Sequence, residues 1–147
     1  MMLPTKTSLL ASFALLGATQ AHYMDIIGDW RWRMGLYQLQ YSSSLEANAR
    51  KTVVDSNGQM IHQLNPGSYG QVLAPGGTSD NDFWRVLVGG WLCELPNAPG
   101  MNGVCAEASK GWYYGGQTGH AELMRSTQLK TIGCAQYKGI WACDLGY

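Results

Sequence analysis

Three histidines, His22, His62 and His120, are the side chains here best suited to moving a proton or holding a cation near neutral pH. Paired with a glutamate, a histidine could act as a general base on water. No nucleophile is legible beside such a base: Ser68, Ser109 and Ser126 all lack a Gly-x-Ser-x-Gly setting. The four cysteines, Cys93, Cys105, Cys134 and Cys143, are an even set, which in an exported chain favours two disulfides and leaves no thiolate. Sequence alone allows three pairings. The local ones, Cys134–Cys143 and Cys93–Cys105, are preferred, because a hairpin can bring the first pair together and the second is the remainder. Loops this short contribute roughly 2–3 kcal/mol each in the chain-entropy picture. Six tryptophans and eight tyrosines exceed what one small core consumes. Trp112-Tyr113-Tyr114 lies between glycines, where exposed rings could stack on sugars or sterols, whereas Trp30, Trp84 and Trp91 fall on helical stripes and read as core.

Residues 1–21 read as a secretory signal peptide, with Lys6 in the basic region, Leu9 to Leu16 as the apolar run and Thr19-Gln20-Ala21 as the cleavage site. The run is far short of the roughly 20 residues a membrane span needs. Cleavage leaves residues 22–147 as one domain. Loss of Lys6 from ten basic residues leaves nine against ten acidic ones, a formal charge of −1. Neither sign clusters, which argues against nucleic acid or an anionic membrane surface as partner. There is no Asn-x-Ser/Thr sequon, so N-glycosylation is not expected. Cleavage after Ala21 would also make His22 the N-terminus, where amine and ring can chelate copper. Oxidative polysaccharide-degrading copper enzymes use that arrangement with a second histidine, here His62 or His120. Their folds are mainly β-sandwiches, however, and residues 26–57 read as helices.

Ile26, Ile27, Trp30, Met34 and Tyr37 recur at helical spacing and predict a helix from Ile26 to Leu39, interrupted by Gly28 and Gly35. Ser42-Ser43-Ser44 offers an N-cap for a second helix with Leu45, Ala49, Val53 and Val54 as its stripe, ending near Asn57-Gly58. Residues 65–82 are rich in Gly, Pro, Ser and Asn and read as a loop. Asp82 to Leu95 reads as a helix through Trp84, Val88, Trp91, Leu92 and Leu95, with a strand over Phe83–Val88 as the alternative because Gly89 and Gly90 weaken a helix. Near the end, Gly119-His120 opens a short helix, and two strands carrying Cys134 and Cys143 flank the turn Tyr137-Lys138-Gly139.

That last layout resembles the C-terminal signature of the CAP superfamily, the cysteine-rich secretory, antigen 5 and pathogenesis-related 1 proteins that share the SCP domain. There Gly-His-Phe-Thr-Gln precedes Val-Gly-Cys, and Val-Cys-Asn-Tyr follows. The spacing from Gly119-His120 to Gly133-Cys134 matches, although Ala121, Glu122, Leu123 and Ser126 replace the usual residues. Leu39 to Ala49 is similar to the family's Leu-x-aromatic-(Asp or Ser)-x-x-Leu-x-x-x-Ala. The family usually continues beyond the position of Tyr147. The resemblance implies an α+β fold, a three-layer α-β-α sandwich with a C-terminal β-hairpin.

It also implies a cleft lined by two histidines and two glutamates. His120 matches the Gly-His position, Glu94 the glutamate three residues after a Trp, and His62 the histidine before the Gly-Glu-Asn turn. Gln71, in Tyr69-Gly70-Gln71-Val72, stands where the family has a glutamate. A divalent metal such as zinc would then find only His62, Glu94 and His120, a weak two-His, one-carboxylate set. The function implied is non-enzymatic binding outside the cell, of a sterol, fatty acid or other apolar ligand, or of an extracellular protein. A weak metal-dependent hydrolase is the enzymatic alternative.

Overall fold

The computed structural model describes the backbone from residue 10 and side chains from residue 22, so the leader and cleavage-site reading of residues 1–21 falls outside the described side chains. Helix α1, Leu10–Arg33, buries Tyr23, Ile27, Trp30 and Met34 at spacings of three and four, one face of a 3.6-residue period. It stops earlier than the sequence periodicity predicts. Gly35 takes φ 72°, and the N–H groups of Gly35 and Leu36 close back on the carbonyls of Trp32 and Arg31. This is a left-handed cap that glycine adopts without strain. Tyr37, expected on the stripe, is therefore outside the helix and exposed.

After the two-residue strand β1, Gln40–Tyr41, helix α2 spans Ser43–Ser56. Ser42 caps it by accepting the Leu45 N–H, and Asn57 ends it at φ 49°. Leu45, Ala49 and Val53 are buried as expected; Val54 is exposed and Thr52 takes the fourth inward place. Strand β2, Gly70–Pro75, lies inside the stretch read as loop. Its apolar run Val72-Leu73-Ala74 is short and bracketed by Gly and Pro, so composition concealed it.

The helical reading of the next segment prevails over the strand. Helix α3, Asp80–Trp84, begins with a Ser79/Asp82 capping box. It widens into a π-helical stretch, Arg85–Trp91, and tightens into a 3₁₀ turn, Leu92–Glu94. Gly89 sits there because Ala108 and Trp112 press against it where a Cβ would stand. The Trp112 ring is thus partly buried, Tyr114 donates to the Gly89 carbonyl at 2.6 Å, and only Tyr113 of the aromatic triplet stands free, 94% exposed. Trp30 and Trp91 are core as expected, and Trp84 is half-buried against it.

Short helices α4, Cys105–Ala108, and α5, Gly119–Met124, lead to strands β3, Thr131–Tyr137, and β4, Ile140–Gly146. Lys138 and Gly139, both at positive φ, form the hairpin's two-residue turn. The sheet order is β1-β3-β4-β2, with β1 parallel to β3 and the other pairs antiparallel. Side chains alternate across it. Leu73, Ala135, Ile140 and Ala142 meet Ala49 and Val53 of α2, while Val72, Cys134, Trp141, Cys143 and Leu145 join the larger core with Tyr23, Phe83 and Trp91. Helices on both faces of a mixed sheet make the α-β-α sandwich. Both disulfides, Cys134–Cys143 across the hairpin and Cys93–Cys105 behind the 3₁₀ turn, are the local pairings, and no cysteine is free.

Two contacts fix α2 against the sheet. Gly133 lies where a Cβ would strike the backbone of Leu45 and Glu46, so the helix approaches β3 more closely than any side chain permits. β1 is too short to reach the Cys134 N–H, and the hydroxyl of Tyr23 accepts it at 3.2 Å while donating to Glu46 at 2.5 Å. Burial pushes the Tyr23 phenol up, so it stays protonated and keeps that donor.

Candidate functional site

The loop after α2 carries His62, and β2 sits beneath it. Gln71, second in β2, faces Asp144 of β4 directly across the antiparallel register, on the α2 side of the sheet. Its Nε2 donates to Asp144 Oδ1 at 2.8 Å and to the Gln63 carbonyl at 3.0 Å, and lies 3.0 Å from Thr52 Oγ1. Its Oε1 accepts from the Gln63 N–H at 3.1 Å and meets His62 Nδ1 at 3.0 Å. One amide thus pins the loop to the sheet and orients the imidazole.

Asp144 is fully buried, and among the described residues its side-chain partners are the neutral Ser68 and Gln71. Ser68 donates to its second oxygen at 2.5 Å, and Asn48 of α2 donates to Ser68 at 2.9 Å. Burial raises the Asp144 carboxyl above the usual carboxylate range, opposed by the Ser68 and Gln71 donors and the charge of His62.

On the opposite wall, α5 presents His120. Glu94 closes the 3₁₀ turn with its side chain only 2% exposed, accepting the Ala121 N–H at 2.9 Å and meeting His120 Nδ1 at 2.8 Å. The adjacent Cys93–Cys105 bridge holds that turn. Arg31 of α1 holds the other end of α5: its guanidinium is buried and donates to the carbonyls of Met124, Ser126 and Tyr37. A cation at helix carbonyls is favourable, and burial lowers its pKa only from a very high value.

The walls enclose an open groove of about 560 Å³, lined among others by His62, Gln71, His120, Glu122, Leu123 and Ser126. His62, Gln71 and His120 therefore line one groove. Glu94 stands behind His120 and orients it. Serine chemistry has no opening here, because Ser126 Oγ accepts the N–H groups of Gln128 and Leu129 and Ser68 is buried against Asp144. His22 stands apart, 2.9 Å from Asp80 at the protein surface. Neither other histidine joins it, and the mixed sheet is not the β-sandwich that the copper reading needs.

The metal set implied by resemblance does not fit. Among the described residues no three of His, Cys, Asp or Glu stand where they could hold one ion. Gln71 spends its oxygen on His62 and Gln63, and Glu94 spends both of its own on α5. His62, Glu94 and His120 are thus not gathered as ligands. Asp144 is the residue that sequence reading missed. Its signal was present: an acid follows Cys143 where the resembled pattern has Asn, opposite a Gln71 that replaces Glu.

A disulfide-stapled α-β-α sandwich with two buttressed imidazoles on one open groove defines an SCP-type domain. The family model for the cysteine-rich secretory protein family, CAP, matches residues 24–144, and the chain belongs to that family. A hookworm platelet inhibitor has the same fold at TM-score 0.57 and 13% identity, covering 99% of this chain and 74% of its own. An extracellular SCP-domain protein of Bacillus anthracis str. Ames aligns at TM-score 0.49 and 14% identity, over 96% of this chain and 44% of its own. No curated protein matches the chain.

Proposed function

We propose that this chain is exported and acts by binding an amphipathic ligand, such as a sterol or fatty acid, at the groove between His62 and His120. Oxidised cysteines suit an extracellular setting, and no described helix is long and apolar enough to cross a membrane. One observation carries the ligand class. The segment that brings His62 to the groove also exposes Met60, Ile61, Leu64 and Tyr69, the last tilted against Tyr147 with ring centroids 4.6 Å apart. These apolar side chains share the segment of His62, and Leu123 lines the groove with the oriented imidazoles, which matches a ligand with an apolar body and a polar head. The same exposed segment suits an extracellular protein partner as the second reading.

The test is retention of labelled sterol and labelled fatty acid by the purified protein, beside His120→Ala and Ile61→Ser. Wild-type retention weakened by both substitutions supports the proposal. No retention, or retention that both variants keep in full, refutes it.

A further inference from the structure

We infer that the groove offers a pair of imidazole Nε2 acceptors and takes a ligand headed by a hydrogen-bond donor, a hydroxyl or an ammonium, in preference to a carboxylate. The inference rests on the amphiphile reading above and narrows it.

The orientation of Gln71 is over-determined. The Gln63 N–H can only donate, and it meets Oε1; the Gln63 carbonyl can only accept, and it meets Nε2. Asp144 Oδ1 adds a second acceptor on the Nε2 side. The amide oxygen is therefore the atom turned to His62 Nδ1. An amide oxygen accepts and never donates, so Nδ1 carries the proton and the neutral ring has its lone pair on Nε2. His120 follows the same logic. Its Nδ1 faces a Glu94 carboxylate whose other oxygen is held by the Ala121 N–H, so the proton again sits on Nδ1. No buried side-chain nitrogen lacks a partner among the described residues, so the Nε2 of this half-buried ring is open at the surface.

Charge points the same way. Glu122 lines the groove and no lysine or arginine does. The nearby Arg125 turns its guanidinium to Met34 Sδ at 2.9 Å and the Pro99 carbonyl at 3.2 Å. A carboxylate head would face two lone pairs and a like charge, whereas a hydroxyl or ammonium finds acceptors.

Decylamine, decanol and decanoate share a chain and differ in the head. They are titrated into the protein at pH 8 with EDTA. Amine and alcohol should bind at least about tenfold more tightly than decanoate, the scale of one well-made hydrogen bond. His62→Ala and His120→Ala should narrow that gap, and Glu122→Gln should weaken the amine alone, which separates the two donor classes. ¹⁵N spectra at pH 8 should show both rings protonated at Nδ1. Decanoate binding as tightly as the other two, or either ring protonated at Nε2, overturns the inference while leaving the amphiphile reading in place. Silence from all three probes overturns it as well, and the broader reading falls on its own assay, when sterol and fatty acid are not retained or both variants retain them in full.

Discussion

Asp144→Asn separates the cost of burying a charge from the value of the bonds that charge makes. The two side chains have nearly the same volume, so no cavity opens. The oxygen of the introduced amide can keep the 2.8 Å bond from Gln71 Nε2. Its nitrogen then faces Ser68 Oγ, which accepts it on a second lone pair beside the bond from Asn48, so the Ser68 O–H loses its acceptor. That O–H is left without a partner, at about 1 kcal/mol, and both bonds to residue 144 weaken from charge-assisted to neutral strength. Against this stands the relief of a fully buried carboxylate with neutral side-chain partners. The net at neutral pH is within about 1.5 kcal/mol of zero, whereas Asp144→Ala strips both partners, opens a void and costs about 3 kcal/mol. The pH dependence carries the sign. Burial raises the folded-state pKa above the unfolded 3.8, so the folded chain holds that proton more tightly. This contribution is fully present below about pH 4 and is lost as pH rises through the folded value. Asn does not titrate. Measured by urea unfolding at equal m-value, Asp144→Asn should therefore fare worse against wild type at pH 4 than at pH 8. A variant hurt more at pH 8 would show that the ionised carboxylate is stabilised, and the reasoning would fail.

Glu94→Gln should invert one half of the groove. The Ala121 N–H requires the amide oxygen, which turns the NH₂ to His120 and moves the ring proton to Nε2; ¹⁵N spectra should show the switch, and decanoate binding should rise several-fold. Gly133→Ala drives a methyl into the backbone of α2 and should cost about 3 kcal/mol, or about 6–12 °C in Tm, read by calorimetry. Arg31→Ala orphans the carbonyls of Met124, Ser126 and Tyr37 and should cost about 3 kcal/mol, with the amides of α5 exchanging fastest.

Much of this was legible because it is local. Ser42 and Asn57 announce the ends of α2, and the hairpin with its bridge follows from two apolar runs around Lys138-Gly139. The His120–Glu94 pair was visible as two separate positions, though a spacing cannot say which residue faces the groove and which stands behind. β2, an edge strand, was missed because a strand covered on both faces needs no alternation, and Gly70 and Pro75 mimic a loop. Arg31 was invisible for a different reason. A lone arginine on a helix reads as solvated surface, and only its distance from three carbonyls reveals a buried brace.

Gln71 and Asp144 show why a site residue is better read in pairs. Taken alone, Gln71 marks the loss of a carboxylate from the cleft that the family resemblance implies. Its register partner reverses that judgement, because an aspartate stands where the resembled pattern has an amide. The carboxylate is displaced by one hydrogen bond, from the strand touching His62 to the strand behind it. Net charge around the pair is unchanged, but the imidazole now meets an amide oxygen and the acid is sealed from the groove. An amide oxygen sets the ring's orientation as a carboxylate does, through a weaker neutral bond, while offering a cation far less. Exchanging the two, Gln71→Glu with Asp144→Asn, should preserve stability within about 1 kcal/mol, read by urea unfolding, because the pair still holds one carboxylate and one amide. A double variant no more stable than the worse of the two single variants would refute this account of the pair.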